Sequence, residues 1–297
     1  MADWSVSRIE VPSPDPQIAY SANAYLLRVG DDSLLIDAGF PGPVSTGLIA
    51  QRIRETGTRL RAIALTHHHP DHAGGAPRLA RLFDAPIHCA PQEYDACTSL
   101  WAGMPDPDDR PGVPLRATLR DGATIPDSPL ELECVATPGH SHGHTAFFRR
   151  AQGALFCGDL VIPSGSVWIG PPDGHLRDYL DSLDRVAALA PSILYPGHGE
   201  QSESPGSLIR AARDRRTERA RDVLIILQEG PATFDDLRSR LYGTALPPAV
   251  AFVARRTVQA HVMDLVLQGA AQLRYDKAKG RLVCRAAEAT RNSDNPS

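Results

Sequence analysis

The sequence lacks long hydrophobic runs. A membrane-spanning helix needs roughly 18 or more consecutive apolar residues, and no stretch of the 297 residues approaches that length. The first residues, Met1 to Arg8, also lack the basic region and apolar core of a secretory signal. The five cysteines form no Cys-x-x-Cys pair, and unpaired thiols are typical of a reducing compartment. We therefore predict a cytoplasmic protein with no membrane partner.

Charge is divided unevenly along the chain. Residues 206–297 hold 16 Lys and Arg against 10 Asp and Glu, a net charge of +6, whereas residues 1–205 hold 15 against 25, a net charge of −10. The length leaves room for one large and one small domain. We therefore expect an acidic body followed by a basic C-terminal piece.

Eight of the eleven histidines lie in three short segments. These are residues 66–72 (THHHPDH), 138–144 (PGHSHGH) and 196–199 (PGHG), and a fourth segment, residues 157–160 (CGDL), adds an aspartate. Each segment follows an apolar run typical of a β-strand, so that the strand-end turns can converge on one point. Crowded imidazoles repel one another once protonated, whereas a divalent metal holds them neutral. The pattern predicts a metal site, and the alternative is a His-rich surface tract.

The four segments resemble the metallo-β-lactamase superfamily pattern, HxHxDH followed by distant His, Asp and His. The resemblance covers roughly residues 20–200 and implies an αββα sandwich with a dinuclear metal site. It implies these metal ligands: His67, His69 and His140 at the first metal, Asp71, His72 and His198 at the second, and Asp159 bridging both. His68 is the variable residue of the motif and is expected to point away. His142 departs from the small or polar residue common there and receives no ligand role.

His144 occupies a place where the superfamily often has a histidine near the substrate. The resemblance implies a catalytic or substrate-facing role for His144, and the alternative is a hydrogen-bonded structural histidine. Cys157, two residues before Asp159, is interpreted as a small buried residue.

The donor set also predicts the reaction class. Imidazoles and carboxylates without a thiolate suit Zn²⁺, and iron or manganese also fit. Two metals that share a water lower its pKa to about 7, which would give a bridging hydroxide that attacks a carbonyl or phosphorus. Asp71 is expected to orient this water and accept a proton. We therefore predict a hydrolase with two zinc ions; an oxygenase with one iron is the alternative, against which the full second-metal set argues.

Two stretches rich in proline and glycine, residues 101–114 and 163–172, predict loops. Long loops beside an active site commonly shape substrate access. We expect Trp168, which follows Asp159 closely, to line the substrate pocket and Trp101 to cap it. The alternative for each tryptophan is to anchor its loop to the core.

The pattern changes after residue 205. Helices are predicted at residues 208–228, 233–242 and 248–268, and a hairpin is predicted from residues 271–275 and 281–284. This arrangement resembles beta-lactamase-like proteins that carry a C-terminal winged helix. The resemblance implies an α/β chain with three parts: a metallo-β-lactamase sandwich at 1–205, a winged-helix domain of three helices plus β-hairpin at 206–288, and a disordered tail at 289–297.

The function that we favour is hydrolysis of a small ester or thioester, carried by coenzyme A or an acyl carrier. Relatives with this domain pair include acyl-carrier-protein thioesterases, and glyoxalase II shares the metal motif. The basic C-terminal domain would then face the phosphates of coenzyme A or the acidic helix of a carrier protein. An antibiotic-degrading β-lactamase is disfavoured because such an enzyme needs export.

Cleavage of single-stranded RNA is the second hypothesis, because winged-helix relatives in animals perform it with the same metal set. Eight arginines would follow the RNA backbone: Arg210, Arg213, Arg215, Arg216, Arg219, Arg221, Arg255 and Arg256. The interleaved acids Asp214, Glu218 and Asp222 predict instead a solvated, ion-paired face. The third hypothesis is a non-catalytic, ligand-sensing regulator, against which the complete ligand set argues. The C-terminal domain could equally serve as a homo-oligomer surface.

Overall fold

We describe the protein from a computed structural model covering residues 4–15, 20–110, 112, 114–277 and 280–287. The chain divides into two compact units, the first formed by Met1–Val167 with Asp178–Ala212 and the second by Trp168–Arg177 with Arg213–Ser297. The tail predicted to be disordered, residues 289–297, lies outside the described residues. No helix in the described ranges is long and apolar enough to cross a membrane.

The first unit contains two β-sheets. The six-stranded sheet has its strands in chain order: β1 (Trp4–Pro12), β2 (Ser21–Val29), β3 (Asp32–Ile36), β4 (Arg59–Ala64), β5 (Ile87–Cys89) and β6 (Leu115–Ala117). The four-stranded sheet has the order β10-β9-β8-β7, with β7 at Glu133–Ala136, β8 at Thr145–Arg149, β9 at Ala154–Gly158 and β10 at Ile193–Pro196. Strands β3 to β6 run parallel, as do β9 and β10.

Five helices accompany these sheets: α1 (Pro43–Thr56), α2 (Pro70–Ala73), α3 (Ala76–Phe83), α4 (Tyr94–Ala102) and α5 (Leu176–Ala188). Alternate side chains of a strand point to opposite faces. Leu26 and Leu35 pack with Ile49 of α1 in a core that also takes in α3 and α4. Their neighbours Leu27 and Leu34 pack instead against the four-stranded sheet. Helices therefore cover one face of the larger sheet, and the two sheets face one another.

Helix α4 and strand β6 were not anticipated from the sequence. The loop predicted from residue 101 begins only after α4 ends at Ala102. Trp101 lies in the last turn of α4, is fully buried, and its Nε1 donates a hydrogen bond to Ala73 O at 2.9 Å. The structure thus places Trp101 in the core, where it anchors α4, rather than on the wall of a pocket.

The second unit contains the helices and hairpin that the sequence predicts. These are α6 (Pro205–Glu229), which begins within the first unit, α7 (Phe234–Tyr242), α8 (Pro248–Leu267), β11 (Ala271–Asp276) and β12 (Arg281–Ala286). The predicted cap of α7 is confirmed, because Thr233 and Asp236 form a reciprocal capping box. Val223, Leu237, Val258 and Cys284 share a small apolar core, so each helix and the hairpin contribute to it.

Replacing Trp101 with Ala should destabilise the protein by about 3–5 kcal/mol, the usual cost of removing a large buried aromatic side chain. Urea denaturation followed by circular dichroism measures this change. Val44, which is 74% exposed on α1, provides the control, because Val44→Ala removes little buried surface. A Trp101→Ala protein as stable as the control variant would contradict the core placement.

Candidate metal centre

The four segments singled out in the sequence meet at the ends of the strands. His67 and His69 follow β4, His140 follows β7, Asp159 follows β9 and His198 follows β10. Asp71 and His72 lie in the short helix α2, which opens with Pro70. Proline suits this position because the first turn of a helix leaves the backbone N–H unpaired in any case. Strand ends are where α/β folds usually place their chemistry.

The first group of facing side chains consists of His67, His69 and His140. Nε2 of His140 lies 3.2 Å from Nε2 of His67 and 2.9 Å from Nδ1 of His69. His67 is fully buried, and His140 is 4% exposed. Three imidazole nitrogens therefore converge on one point that solvent barely reaches.

The second group consists of Asp71, His72 and His198. The Nε2 atoms of His72 and His198 are 3.4 Å apart, and Oδ2 of Asp71 lies 3.4 Å from Nε2 of His198. Asp159 lies between the two groups. Its Oδ1 is 3.4 Å from Nε2 of His72 and 3.3 Å from Nε2 of His198, and its Oδ2 is 3.6 Å from Nε2 of His140.

The partners on the far side of each ring determine which nitrogen carries the proton. Nδ1 of His198 lies 2.7 Å from Ser21 O, and because a carbonyl oxygen only accepts, Nδ1 is the donor. Nδ1 of His72 lies 2.9 Å from Oδ2 of Asp37 and donates to that carboxylate. In the neutral rings both Nε2 atoms therefore carry lone pairs, and these lone pairs face one another.

Converging lone pairs fit a divalent cation. Oδ1 of Asp159 is buried and accepts no hydrogen bond from any described residue, and such an unsatisfied acceptor costs about 1–3 kcal/mol. A cation between the facing acceptors removes the repulsion between the lone pairs and satisfies Oδ1 of Asp159. The donor set also excludes thiolate, because Cys157 is fully buried and its Sγ donates to Val161 O at 3.3 Å. Imidazole and carboxylate donors of this kind suit zinc, iron or manganese.

Burial and neighbouring charges together set the pKa values of the site residues. Burial and the neighbouring imidazoles of His72, His69 and His140 lower the pKa of His67 well below its usual value. Burial also disfavours charge on His72, but the carboxylates of Asp159, Asp71 and Asp37 raise its pKa well above the usual value. Burial opposes ionisation of Asp159, yet His72 and His198 hold its pKa well below the usual value. The carboxylate is thus kept ionised, in the form that binds metal.

Asp37 is a site residue that motif spacing did not reveal. It is 2% exposed and adopts a left-handed backbone conformation with φ of 58°. Its carboxylate accepts hydrogen bonds from Thr66 N, Thr66 Oγ1 and His72 Nδ1, at 2.8, 2.8 and 2.9 Å. Because the Thr66 hydroxyl donates to Asp37, it accepts from Nδ1 of His67 at 3.0 Å. One carboxylate therefore orients a ring in each group.

Glu93 joins the two loops of the first group and was also not anticipated. Its Oε2 accepts from His68 N at 2.9 Å and His68 Nδ1 at 2.5 Å, and its Oε1 accepts from Ser141 Oγ at 2.8 Å and Gly143 N at 2.6 Å. Burial alone would raise the pKa of Glu93, but hydrogen bonding and the charge of His68, with Ser141 and Gly143, lower it. His68, the prominent middle histidine of the run, thus binds a buried carboxylate.

His144 uses both of its ring nitrogens within the protein. Nε2 accepts a hydrogen bond from Asp159 N at 3.1 Å, and Nδ1 lies 2.8 Å from Thr137 Oγ1. The ring is 1% exposed, and burial lowers its pKa to about 4. His144 is therefore neutral near pH 7, and it holds the backbone at Asp159.

His142 and Trp168 are not members of either group. His142 is exposed, as expected for a residue without a ligand role. Trp168 belongs to the second unit, so its pocket role stays a prediction.

Comparison with known proteins identifies the family. The family model of the Metallo-beta-lactamase superfamily matches residues 18–198. The chain belongs to this superfamily. It is 31% identical over 275 residues to a protein of Aspergillus fumigatus named atrochrysone carboxyl ACP thioesterase, a match that covers 89% of this chain and 80% of that protein.

Solved structures agree with the sequence match. A metallo-beta-lactamase family protein from Thermus thermophilus aligns with a TM-score of 0.76 at 25% identity, over 95% of this chain and 98% of that one. A protein crystallised in a di-iron-bound form aligns with a TM-score of 0.55 at 28% identity, over 68% of this chain and 96% of that one. The expected mixed α/β metallo-beta-lactamase fold is confirmed, and the chain is a hydrolase whose fold implies divalent metal binding.

Replacing Glu93 with Gln should weaken metal binding without unfolding the protein. The amide keeps the shape but has only one acceptor oxygen, so it cannot accept from both loops. Losing such an outer partner of metal-binding residues typically lowers metal affinity about 10- to 100-fold. Competition between metal-free protein and a chromogenic chelator measures the affinity. Glu55→Gln, at an exposed position on α1, is the control; equal affinities in the two variants would contradict the role of Glu93.

Proposed function

We propose that the chain is a dinuclear, zinc-dependent hydrolase that acts on a small ester or thioester. The main support for this proposal is the position of Asp159, whose two oxygens face different groups of imidazoles. In this proposal His67, His69 and His140 hold one metal, Asp71, His72 and His198 hold the other, and Asp159 bridges them. Iron is the alternative metal, since a similar structure was solved with two irons.

Bound divalent metals would supply Lewis acidity towards the substrate carbonyl and would lower the pKa of a nucleophilic water. The residues of the chain supply orientation and proton transfer. Asp71 is 8% exposed, and its Oδ2 reaches the rim of the cluster beside His198. In this position Asp71 orients the attacking water and accepts its proton. Asp37 and His144 act as positioning residues, since each holds its partner within the site through buried hydrogen bonds.

The ester or thioester class is supported by similarity to the Aspergillus fumigatus relative, which is named as a thioesterase for an acyl carrier protein. A thioester carbonyl is electrophilic and has a good leaving group, so activation of water supplies most of what hydrolysis requires. The substrate is therefore proposed to be an acyl group carried on a pantetheine thiol, either of coenzyme A or of a carrier protein.

Cleavage of single-stranded RNA is a second candidate, which one observation favours. We propose that the three helices and hairpin of the second unit form a winged helix. Arg274, Arg281 and Arg285 are exposed on the hairpin, so they could bind phosphates. By contrast, Arg219 of α6 pairs with Asp222, as expected for an ion-paired helix face. The thioester proposal is preferred because of the named relative.

Replacing Asp159 with Ala should remove metal and activity together, because the bridging carboxylate is lost from both groups. Metal analysis by mass spectrometry and hydrolysis of a chromogenic thioester provide the two readouts. Asp181→Ala, at an exposed position on α5, is the control and should keep both. Full zinc occupancy in the Asp159→Ala protein would refute the bridging role.

Thioesters and RNA can be compared directly on the purified wild-type chain. We expect faster turnover of an acyl-CoA panel than of single-stranded RNA, and we expect a chelator to abolish the activity. RNA cleavage at trace enzyme concentration, with no thioester turnover, would reverse the preference.

A further inference from the structure

Tyr20 stands at the rim of the metal-binding cluster, on the side of the second group. It directly precedes β2, and the start of β2 is tied to the loop that carries His198. Ser21 O accepts from His198 Nδ1 at 2.7 Å, and Asn23 Nδ2 donates to Gly199 O at 2.8 Å. Hydrogen bonds of the residues that follow Tyr20 in β2 therefore hold this part of the chain beside His198.

The ring of Tyr20 packs on one side and is open on the other. Its centroid lies 5.3 Å from that of His198 with the planes at 85°, an edge-to-face contact, and 6.1 Å from that of Phe40. Half of the residue, 50%, is exposed. Its hydroxyl is near enough to the carboxylate of Asp71 to interact with it electrostatically. The phenol thus combines a fixed ring with a polar end at the edge of the site.

We propose that the Tyr20 hydroxyl donates a hydrogen bond to the carbonyl oxygen of the substrate as that oxygen gains charge during attack by water. This inference rests on the proposed hydrolysis of an ester or thioester. No proton is transferred: the O–H bond stays intact, and the hydroxyl only donates a hydrogen bond to the substrate oxygen. Asp71 can then take the proton of the attacking water.

Tyr20 suits this role for three reasons. A phenol has an ordinary pKa of about 10, so the hydroxyl keeps its proton and remains a donor at neutral pH. The ring is already held by His198 and Phe40, so little side-chain entropy is lost when substrate binds. A donor fixed in advance towards developing negative charge stabilises the transition state more than the ground state.

A purely structural role predicts different behaviour. If Tyr20 only supports the His198 ring, Phe at this position keeps that contact and turnover does not change. If the hydroxyl only steadies Asp71, its loss lowers metal content, and turnover falls in proportion to the metal lost. The proposed role predicts slower turnover at full metal content.

The test compares Tyr20→Phe with wild type and with Tyr275→Phe, which removes the hydroxyl of a 62% exposed tyrosine in the second unit. The readouts are metal content, kcat and KM for a chromogenic thioester, and calorimetric binding of two inert analogues. One analogue is a trifluoromethyl ketone, whose hydrate resembles the tetrahedral intermediate; the other is a thioether that lacks the carbonyl.

For Tyr20→Phe we expect full metal content, a KM close to that of wild type and a kcat lower by about 100-fold, as for loss of one oxyanion donor. Affinity should fall for the ketone and stay constant for the thioether. The Tyr275→Phe protein should behave as wild type. Unchanged kcat, or a decrease explained by lost metal, would overturn the role of Tyr20 while leaving the hydrolase proposal intact. Absence of thioester turnover in metal-loaded wild type would overturn both.

Discussion

The site depends on one buried carboxylate, Asp159, which lies between imidazole nitrogens whose lone pairs converge. Two Nε2 atoms that face one another at 3.4 Å cannot hydrogen-bond when both rings are neutral and both protons are on Nδ1. A carboxylate oxygen among them, to which no residue in the described part of the chain donates, adds a further acceptor. This arrangement is costly in a protein interior unless a cation occupies the centre. Much of the surrounding structure can be understood as holding these acceptors in place.

Three buried groups perform this holding function, and each acts between chain segments rather than within one. Asp37 connects the end of β3 with the rings of both groups through Thr66 and His72. Glu93 connects the loops that carry His69 and His140. His144 fixes the backbone of Asp159. Because these contacts are buried and hydrogen-bonded, they stabilise one arrangement of the loops.

Local sequence patterns predicted much of the fold and candidate site, but not long-range partners. Histidine spacing pointed to the residues that the structure brings together, since such crowding has few other physical explanations, and strand periodicity located β2 and β3 closely. Asp37 and Glu93 were missed because each looks like an ordinary acid until the fold supplies its partners. Trp101 was expected to cap the substrate pocket because the prolines after it predicted a loop and concealed α4. Its indole hydrogen-bonds Ala73, 28 residues away in the chain, a contact that periodicity cannot reveal.

The most direct test of the central claim is a calorimetric titration of metal-free protein with zinc. We expect two equivalents of zinc per chain, with protons released as the metal replaces the proton that the carboxylates favour on His72. Binding of a single equivalent, with no second site at higher zinc concentration, would contradict the claim that Asp159 bridges two metals.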